Sequence, residues 1–296
     1  MRQKHLPQVI LLVFVFGTFH RTHAQTYQQQ ERGILLYNLG SGLVIGGVGA
    51  LINKKKGQDP WKVFLKGAGQ GVMGGAINYS SKNITGMIAS RENYLYGWAG
   101  RLTQSVGTSI IENAAANRNF WESYHFSYGP VRLEFDARSH YKPSVLVKPG
   151  ALVGFVWLGT KGRFSAKYSL LSGAPVVLSD GPVRMFGSSF GGYAMGIVTA
   201  IDRSLIDDYA LFAHEFIHIH QYEDFVGVNS FFDKPLNTFS QRSAAFNTFS
   251  KYVYLDLHAP LLLLTYRQLY NRAGSYYENW FEFEAEHFAT QKLVPR

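Results

Sequence analysis

The polar and apolar positions of this chain follow three successive patterns, of which the first is marked by regularly spaced small residues. These residues recur at every fourth position in two runs: Gly42, Gly46 and Ala50, and Gly67, Gly71 and Gly75. A period of four places them on one face of a helix, where small side chains let two helix backbones approach closely. We therefore predict that residues 33–116 form two or three closely packed helices, joined by polar turns such as residues 53–59.

The second pattern covers residues 121–200, where short runs of β-branched and aromatic residues alternate with Gly, Pro and Asp. Such runs are typical of strands and hairpins. The predicted strands are 123–128, 131–135, 144–147, 151–157, 164–170, 176–178, 183–186 and 192–197. We expect them to form an antiparallel meander or a small barrel. An outer-membrane barrel fits less well, because its strands alternate more regularly than these do.

The third pattern begins near residue 204 and has helical periodicity. Apolar residues form one stripe: Leu205, Tyr209, Phe212, Phe216 and Ile219. Further helices are predicted at 252–257, which Pro260 should break or kink, at 261–272, and at 280–293 with Asn279 as the N-cap. The fold class is therefore expected to be α+β. The predicted regions are a signal peptide (1–24), a glycine-rich helical region (25–120), an antiparallel β region (121–200) and a helical region (201–296).

Composition adds information on compartment and on metal ligands. The 296 residues include no cysteine, so a metal site has to use His, Asp or Glu. Arg2 and Lys4 precede an apolar run at 9–16, and small residues precede Gln25, as in a cleaved secretory signal. The run is short for a bilayer span. The chain is therefore predicted to be exported, to a periplasm, a cell envelope or the medium.

Charge and hydropathy limit the partners that we expect. The formal net charge is +9, but the basic residues are scattered and no nucleic-acid-binding motif is present. Nucleic acid is therefore not an expected partner. Residues 33–52 carry no charge and are long enough to cross a bilayer. Residues 33–77 thus have two interpretations, namely a membrane-associated hairpin and a buried, glycine-packed helix pair in a soluble domain.

The candidate chemistry lies in the stretch His214-Glu215-Phe216-Ile217-His218. On a helix, His214 and His218 lie one turn apart on the same face, so both imidazoles can reach one Zn²⁺ ion. Glu215 can then accept a proton from a metal-bound water. Gln221 lies one turn beyond His218 and could line this site. His220 and His287 are expected to point elsewhere.

A third ligand has to come from farther along the chain, because no histidine follows at the spacing of metzincins. The segment Glu282-Phe283-Glu284-Ala285-Glu286, together with the first motif, resembles gluzincin zinc metallopeptidases, whose downstream helix carries Glu-x-x-Ala/Ser-Asp. The resemblance is limited to these motifs in the C-terminal third. It implies that Glu282 is a zinc ligand and that Glu286, where the family prefers Asp, supports a ligand histidine. Glu284 offers a rival register that faces away from Glu282.

The function predicted from these motifs is that of an exported zinc-dependent metallopeptidase acting on a peptide or protein, with Glu215 as the general base. The alternative is a non-enzymatic envelope or membrane-associated protein with a structural or vestigial metal site. A Tyr or His usually helps to stabilise the oxyanion in such peptidases, and five residues are candidates: His258, Tyr266, Tyr270, Tyr276 and Tyr277.

Overall fold

The computed structural model describes residues 27–185, 187–272 and 279–290, in which the chain forms ten α-helices and nine short strands. The helices are α1 (Tyr27–Ile52), α2 (Pro60–Arg91), α3 (Leu95–Ala115), α4 (Pro149–Gly159), α5 (Ala166–Ser172), α6 (Tyr209–Asp224), α7 (Asp233–Arg242), α8 (Ala244–Phe249), α9 (His258–Arg272) and α10 (Trp280–Ala289). The strands are β1 (Ser123–Tyr128), β2 (Val131–Asp136), β3 (Pro143–Val147), β4 (Arg163–Phe164), β5 (Val176–Ser179), β6 (Val183–Met185), β7 (Ser188–Phe190), β8 (Gly192–Ala194) and β9 (Thr199–Asp202). The α+β class is confirmed, with small sheets in the middle and helices at both ends. The predicted signal peptide lies outside the described residues.

Glycines bring α1 and α2 into direct backbone contact, as their spacing predicts. A Cβ atom on Gly71 would lie 2.0 Å from the carbonyl oxygen of Gly42, and one on Gly46 would lie 2.4 Å from that of Gly67. Real Cβ atoms do not approach other atoms so closely, so no larger residue fits at these positions. We call this contact the glycine seam: Gly42, Gly46, Gly67, Gly71 and Gly75.

In the described part of the chain, α1 is the one helix long and apolar enough to cross a membrane by length and composition. Half of its most apolar window is buried, because α1 packs against α2, α3 and a 3₁₀ segment, Val226–Phe232. A core helix of a soluble protein has the same properties. Both interpretations of residues 33–77 therefore remain predictions.

The middle of the chain forms three small sheets. Strands β1, β2 and β3 are an antiparallel meander, as predicted, and β6 pairs with β7 as a hairpin. The remaining sheet has the order β4-β5-β9-β8 and is mixed, since β5 and β9 run parallel. The expectation of purely antiparallel pairing is wrong at this pair.

Two predicted strands in the middle region are helices instead. Residues 151–157 belong to α4, and most of 164–170 belongs to α5. A short apolar run has no periodicity that distinguishes a strand from a helix. End signals decide both cases: Pro149 opens α4, and the side chain of Ser165 accepts a hydrogen bond from the Tyr168 amide at the start of α5.

The C-terminal region places α6 against α2, β8 and α10. On α6 the predicted stripe is buried at Phe212, Phe216 and Ile219 and half-buried at Tyr209, where the helix begins. The prediction of a helix at 252–257 is wrong, because α9 starts at His258 and holds Pro260 in its first turn, where no amide donor is needed. Asn279 caps α10 as predicted, since its side chain accepts a hydrogen bond from the Phe281 amide.

Candidate metal centre

The predicted ligands on α6 and α10 meet at one point. The rings of His214 and His218 lie one turn apart on α6, with centroids separated by 4.9 Å. The distance from His214 Nε2 to His218 Nε2 is 3.2 Å. Oε2 of Glu282 lies 3.2 Å from the first of these nitrogens and 3.3 Å from the second. The three atoms thus form a nearly equilateral triangle, although 68 residues separate His214 from Glu282.

The size of this triangle fits a divalent metal. Zinc lies about 2.0–2.1 Å from imidazole nitrogen and carboxylate oxygen, and tetrahedral geometry then places neighbouring donor atoms roughly 3.3 Å apart. The observed edges of 3.2–3.3 Å agree with that value. A set of two imidazoles and one carboxylate suits zinc, but it also suits other first-row metals. Geometry therefore supports a metal centre without selecting zinc.

The non-coordinating atoms of each candidate ligand have partners that fix its orientation. His218 Nδ1 donates to Gln221 Oε1 over 2.8 Å, which leaves the lone pair of Nε2 for a metal. His214 Nδ1 lies 3.5 Å from Glu286 Oε2, and the hydroxyl of Tyr266 donates to Glu282 Oε1 over 2.7 Å. Gln221 and Glu286 thus contact the side chains of candidate ligands, and the supporting roles expected of them stay predictions. Tyr266, one of the five oxyanion candidates, thus contacts the carboxylate of a candidate ligand.

The charges around the triangle favour a bound cation. Burial alone would lower the pKa of His214, but hydrogen bonds to Glu282 and Glu286 outweigh burial and raise it to about 10. The pKa of His218 is also raised, because Glu282 outweighs burial. Both shifts come from the carboxylates around the triangle, whose negative charge favours a cation there. A divalent ion would bind the neutral imidazoles in competition with protons.

Glu215 lies beside the triangle and is buried against strand β8. A Cβ atom on Gly192 would lie 2.7 Å from Glu215 Cγ, so glycine is needed at that position. The backbone amide of Ala194 favours the charged form of the Glu215 carboxylate. Burial is the largest influence on the pKa of Glu215 and raises it. A carboxylate with a raised pKa is suited to accept a proton and to return it near neutral pH.

Strand β8 also supplies a residue that sequence analysis missed. Burial raises the pKa of Tyr193, and the negative charges of Glu215 and Glu282 raise it further. Nothing in the local sequence distinguishes Tyr193 from the chain's other tyrosines. His258, in contrast, is buried away from the triangle, against Asn229 and the ring of Tyr222. The other oxyanion candidates, namely the Tyr270 side chain and residues 276 and 277, lie outside the described part.

Glu284, the rival ligand, has other partners. Its Oε1 accepts hydrogen bonds from Lys82 Nζ at 2.7 Å and from Asn38 Nδ2 at 2.8 Å. Lys82 also lies 2.6 Å from Asp224 Oδ2 and is fully buried. Burial lowers the pKa of Lys82, but Asp224 and Glu284 outweigh it, and the pKa is raised overall. Lys82 thus remains a buried cation between two carboxylates.

Gln221 connects this buried cluster to the triangle. Its Nε2 donates to Glu284 Oε2 at 3.0 Å and to the Phe281 carbonyl at 2.8 Å, while its Oε1 accepts from His218. An unbroken series of hydrogen bonds therefore runs from α1 and α2 to a candidate ligand. We call its members the polar network: Asn38, Lys82, Gln221, Asp224 and Glu284. No sequence signal pointed to Asn38, Lys82 or Asp224.

The remaining histidines near the motifs point away from the triangle, as predicted. His220 is fully buried between Ser81 and Thr85 of α2, with its ring nitrogens 3.2 and 2.8 Å from their hydroxyls. Burial holds its pKa well below the ordinary value. The ring of His287 stacks on that of Tyr27. Neither histidine belongs to the group of residues that can hold a metal.

Comparison with known proteins adds no relative to this description. No protein-family model matches the chain, and no curated protein or solved structure matches it at a significant level. The function therefore has to be inferred from the residues of the site and their geometry.

Proposed function

We propose that this chain is a zinc-dependent metallopeptidase of the gluzincin type that hydrolyses peptide bonds. The observation that carries the proposal is the triangle of His214, His218 and Glu282, with Glu215 adjacent to it on the same helix. Two imidazoles and one glutamate leave a fourth tetrahedral position for water or substrate. The motif resemblance described above supports the same reaction class.

The residues of the site have distinct roles in such a reaction. Zinc bound to the triangle would polarise a scissile carbonyl and lower the pKa of water. Glu215 accepts the proton of the attacking water and delivers it to the leaving amine. The Ala194 amide favours the ionised form of Glu215, which is the form that accepts a proton. Gln221, Glu286 and Tyr266 keep the ligands oriented.

The position of β8 supports a peptide as the substrate. This strand lies at the end of its sheet and, among the described residues, pairs with β9 alone. Its other edge therefore offers backbone groups to which an extended peptide can pair. Because Gly192 lies against the Glu215 side chain, a peptide on this edge would lie close to the general base.

The first experiment compares Glu215→Gln with the unchanged protein. The purified proteins are measured for zinc content and for hydrolysis of a peptide library. The variant should retain zinc, because Glu215 is not part of the triangle, and should lose about 10²–10⁴-fold in hydrolysis. Glu122→Gln is the matched control, since it makes the same change in the loop before β1, and it should leave hydrolysis unaltered. Zinc binding by a protein that hydrolyses no peptide would support the non-enzymatic alternative instead.

The second experiment tests the ligands individually. His214→Ala, His218→Ala and Glu282→Ala should each abolish stoichiometric zinc binding, because each removes one of three protein donors. Glu122→Ala is the control for Glu282→Ala, since it makes the same change in the loop before β1, where Glu122 contacts Asn119 rather than the triangle. Full zinc affinity in Glu282→Ala would show that the third ligand is misassigned.

A further inference from the structure

Helix α4 is an apolar helix that packs on the protein along only one face. It contains no charged residue and buries Ala151, Gly154 and Leu158. Its outward side is apolar as well, with Val153 58% and Val156 59% exposed. Leu152 and Trp157 are also exposed. A helix exposed to water ordinarily has a polar outer face, so this outer face requires a different partner.

The apolar surface continues beyond α4 onto β4. The rings of Phe155 and Phe164 lie edge to face, with centroids 6.2 Å apart, and Phe164 is exposed. We call this surface the α4–β4 face: Leu152, Val153, Val156, Trp157 and Phe164. Five large apolar side chains thus lie together at the surface, on two adjacent elements.

The charges around the α4–β4 face are predominantly basic, and the acidic Asp180, which lines a depression with Lys161, pairs with Arg203. Residues 137–179 contain six Lys or Arg and no Asp or Glu. Lys148 is buried against Glu223, and Arg138 pairs with Asp136. Lys161 and Arg163, which lie between α4 and Phe164, have no ion pair within the described residues. Arg163 also lines an open depression of about 420 Å³ with Phe164 and Arg203, although Arg203 pairs with Asp180.

We propose that the α4–β4 face docks onto an anionic lipid bilayer. Val153, Val156, Trp157 and Phe164 would enter the interface between headgroups and acyl chains, where aromatic and aliphatic side chains are stable. Lys161 and Arg163 would contact the headgroup phosphates, as basic residues do beside apolar anchors. A second copy fits less well, because a two-fold interface centred on this face would bring like charges together.

Docking on this face would bring the proposed metal centre to the membrane. A Cβ atom on Gly154 would lie 2.7 Å from the carbonyl oxygen of Met195, so α4 touches the residue that directly follows β8. Strand β8 in turn contacts Glu215. Docking does not require hydrolysis, and the lipid experiment below can fail or succeed independently of the peptidase assay.

The test measures flotation of the full chain with phosphatidylcholine vesicles that contain, or lack, phosphatidylglycerol. The protein should bind the anionic vesicles, and added salt should weaken the binding. Val153→Ser/Val156→Ser and Lys161→Gln/Arg163→Gln should each reduce binding about tenfold or more. All four positions lie outside the buried core, so circular dichroism should report unchanged folding.

The matched control is Trp61→Ser/Leu65→Ser, which removes two exposed apolar side chains from α2, within the rival membrane segment 33–77. This variant should float like the unchanged protein. Binding that is lost in the control and retained in both α4–β4 variants would overturn the proposal in favour of the helical hairpin. Equal binding to both kinds of vesicle, no binding to either, or a dimer that the same variants dissociate would also overturn it.

Discussion

The glycine seam and the polar network occupy successive turns of α2 but hold their neighbours in opposite ways. At Gly67, Gly71 and Gly75 the helix has no side chain, and its backbone touches that of α1. About two turns after Gly75, Lys82 extends a buried charged side chain to α6 and α10. Adding a side-chain atom in the seam should therefore destabilise the protein, whereas in the network the removal of a side-chain group should destabilise it.

The largest effect is expected from Lys82→Met. This change removes the cation between Asp224 and Glu284 and leaves two buried carboxylates without their partner. Breaking a buried ion pair on one side costs about 3–5 kcal/mol, which urea unfolding of the variant would measure. Lys66→Met, on the exposed side of α2, is the control and should change the free energy of unfolding by less than about 0.5 kcal/mol. A cost for Lys82→Met as small as that of the control would contradict the role given to the network.

The next effect is expected from Gly71→Ala in the seam. The new Cβ would lie 2.0 Å from the Gly42 carbonyl oxygen, and backbone on both sides leaves it no room to move. Helices α1 and α2 would have to separate, at a cost of about 1–3 kcal/mol or more. Thermal and urea unfolding would both report the loss. If Gly71→Ala is as stable as the unchanged protein, the close approach of the two helices is wrong.

The same contrast explains what the sequence could predict. In the seam and in the two metal-site motifs, the relevant residues of each helix lie four positions apart in the sequence. This spacing alone places them on a common helix face, as for Gly42 and Gly46 or His214 and His218. Lys82 and Glu284 lie 202 residues apart, and no local pattern distinguishes Lys82 from the chain's exposed lysines. The prediction of a strand at 151–157, within the helix Pro149–Gly159, is wrong because a continuous apolar run has no period that distinguishes strand from helix. Pro149, in the first turn of this helix, is the stronger signal, because proline is favoured at the first position of a helix.

A smaller effect is expected from Gln221→Leu, at the end of the network that contacts the triangle. The substitution keeps much of the side-chain volume but removes the acceptor of His218 Nδ1. His218 would no longer be held with its Nε2 lone pair towards the triangle, and zinc affinity should fall about 10–100-fold. Competition with a chromophoric chelator would measure this change. Gln241→Leu on α7 is the exposed control, and a loss of affinity shared by both variants would argue against a specific role for Gln221.

The smallest effect is expected from Gly69→Ala, two residues from Gly67 and Gly71 of the seam, and it should stabilise the protein rather than destabilise it. Gly69 is exposed in the middle of α2, and a Cβ atom there would meet no atom within 4 Å. Alanine is about 0.8–1.0 kcal/mol more favourable than glycine in a helix interior, so Gly69→Ala should stabilise the protein by roughly that amount. Gly71→Ala, measured under the same conditions, should destabilise it. Both substitutions change the intrinsic helix propensity by the same amount. The difference between their effects on the free energy of unfolding therefore reports the contact with α1. If both substitutions stabilise the protein to the same extent, α1 and α2 do not touch at Gly71.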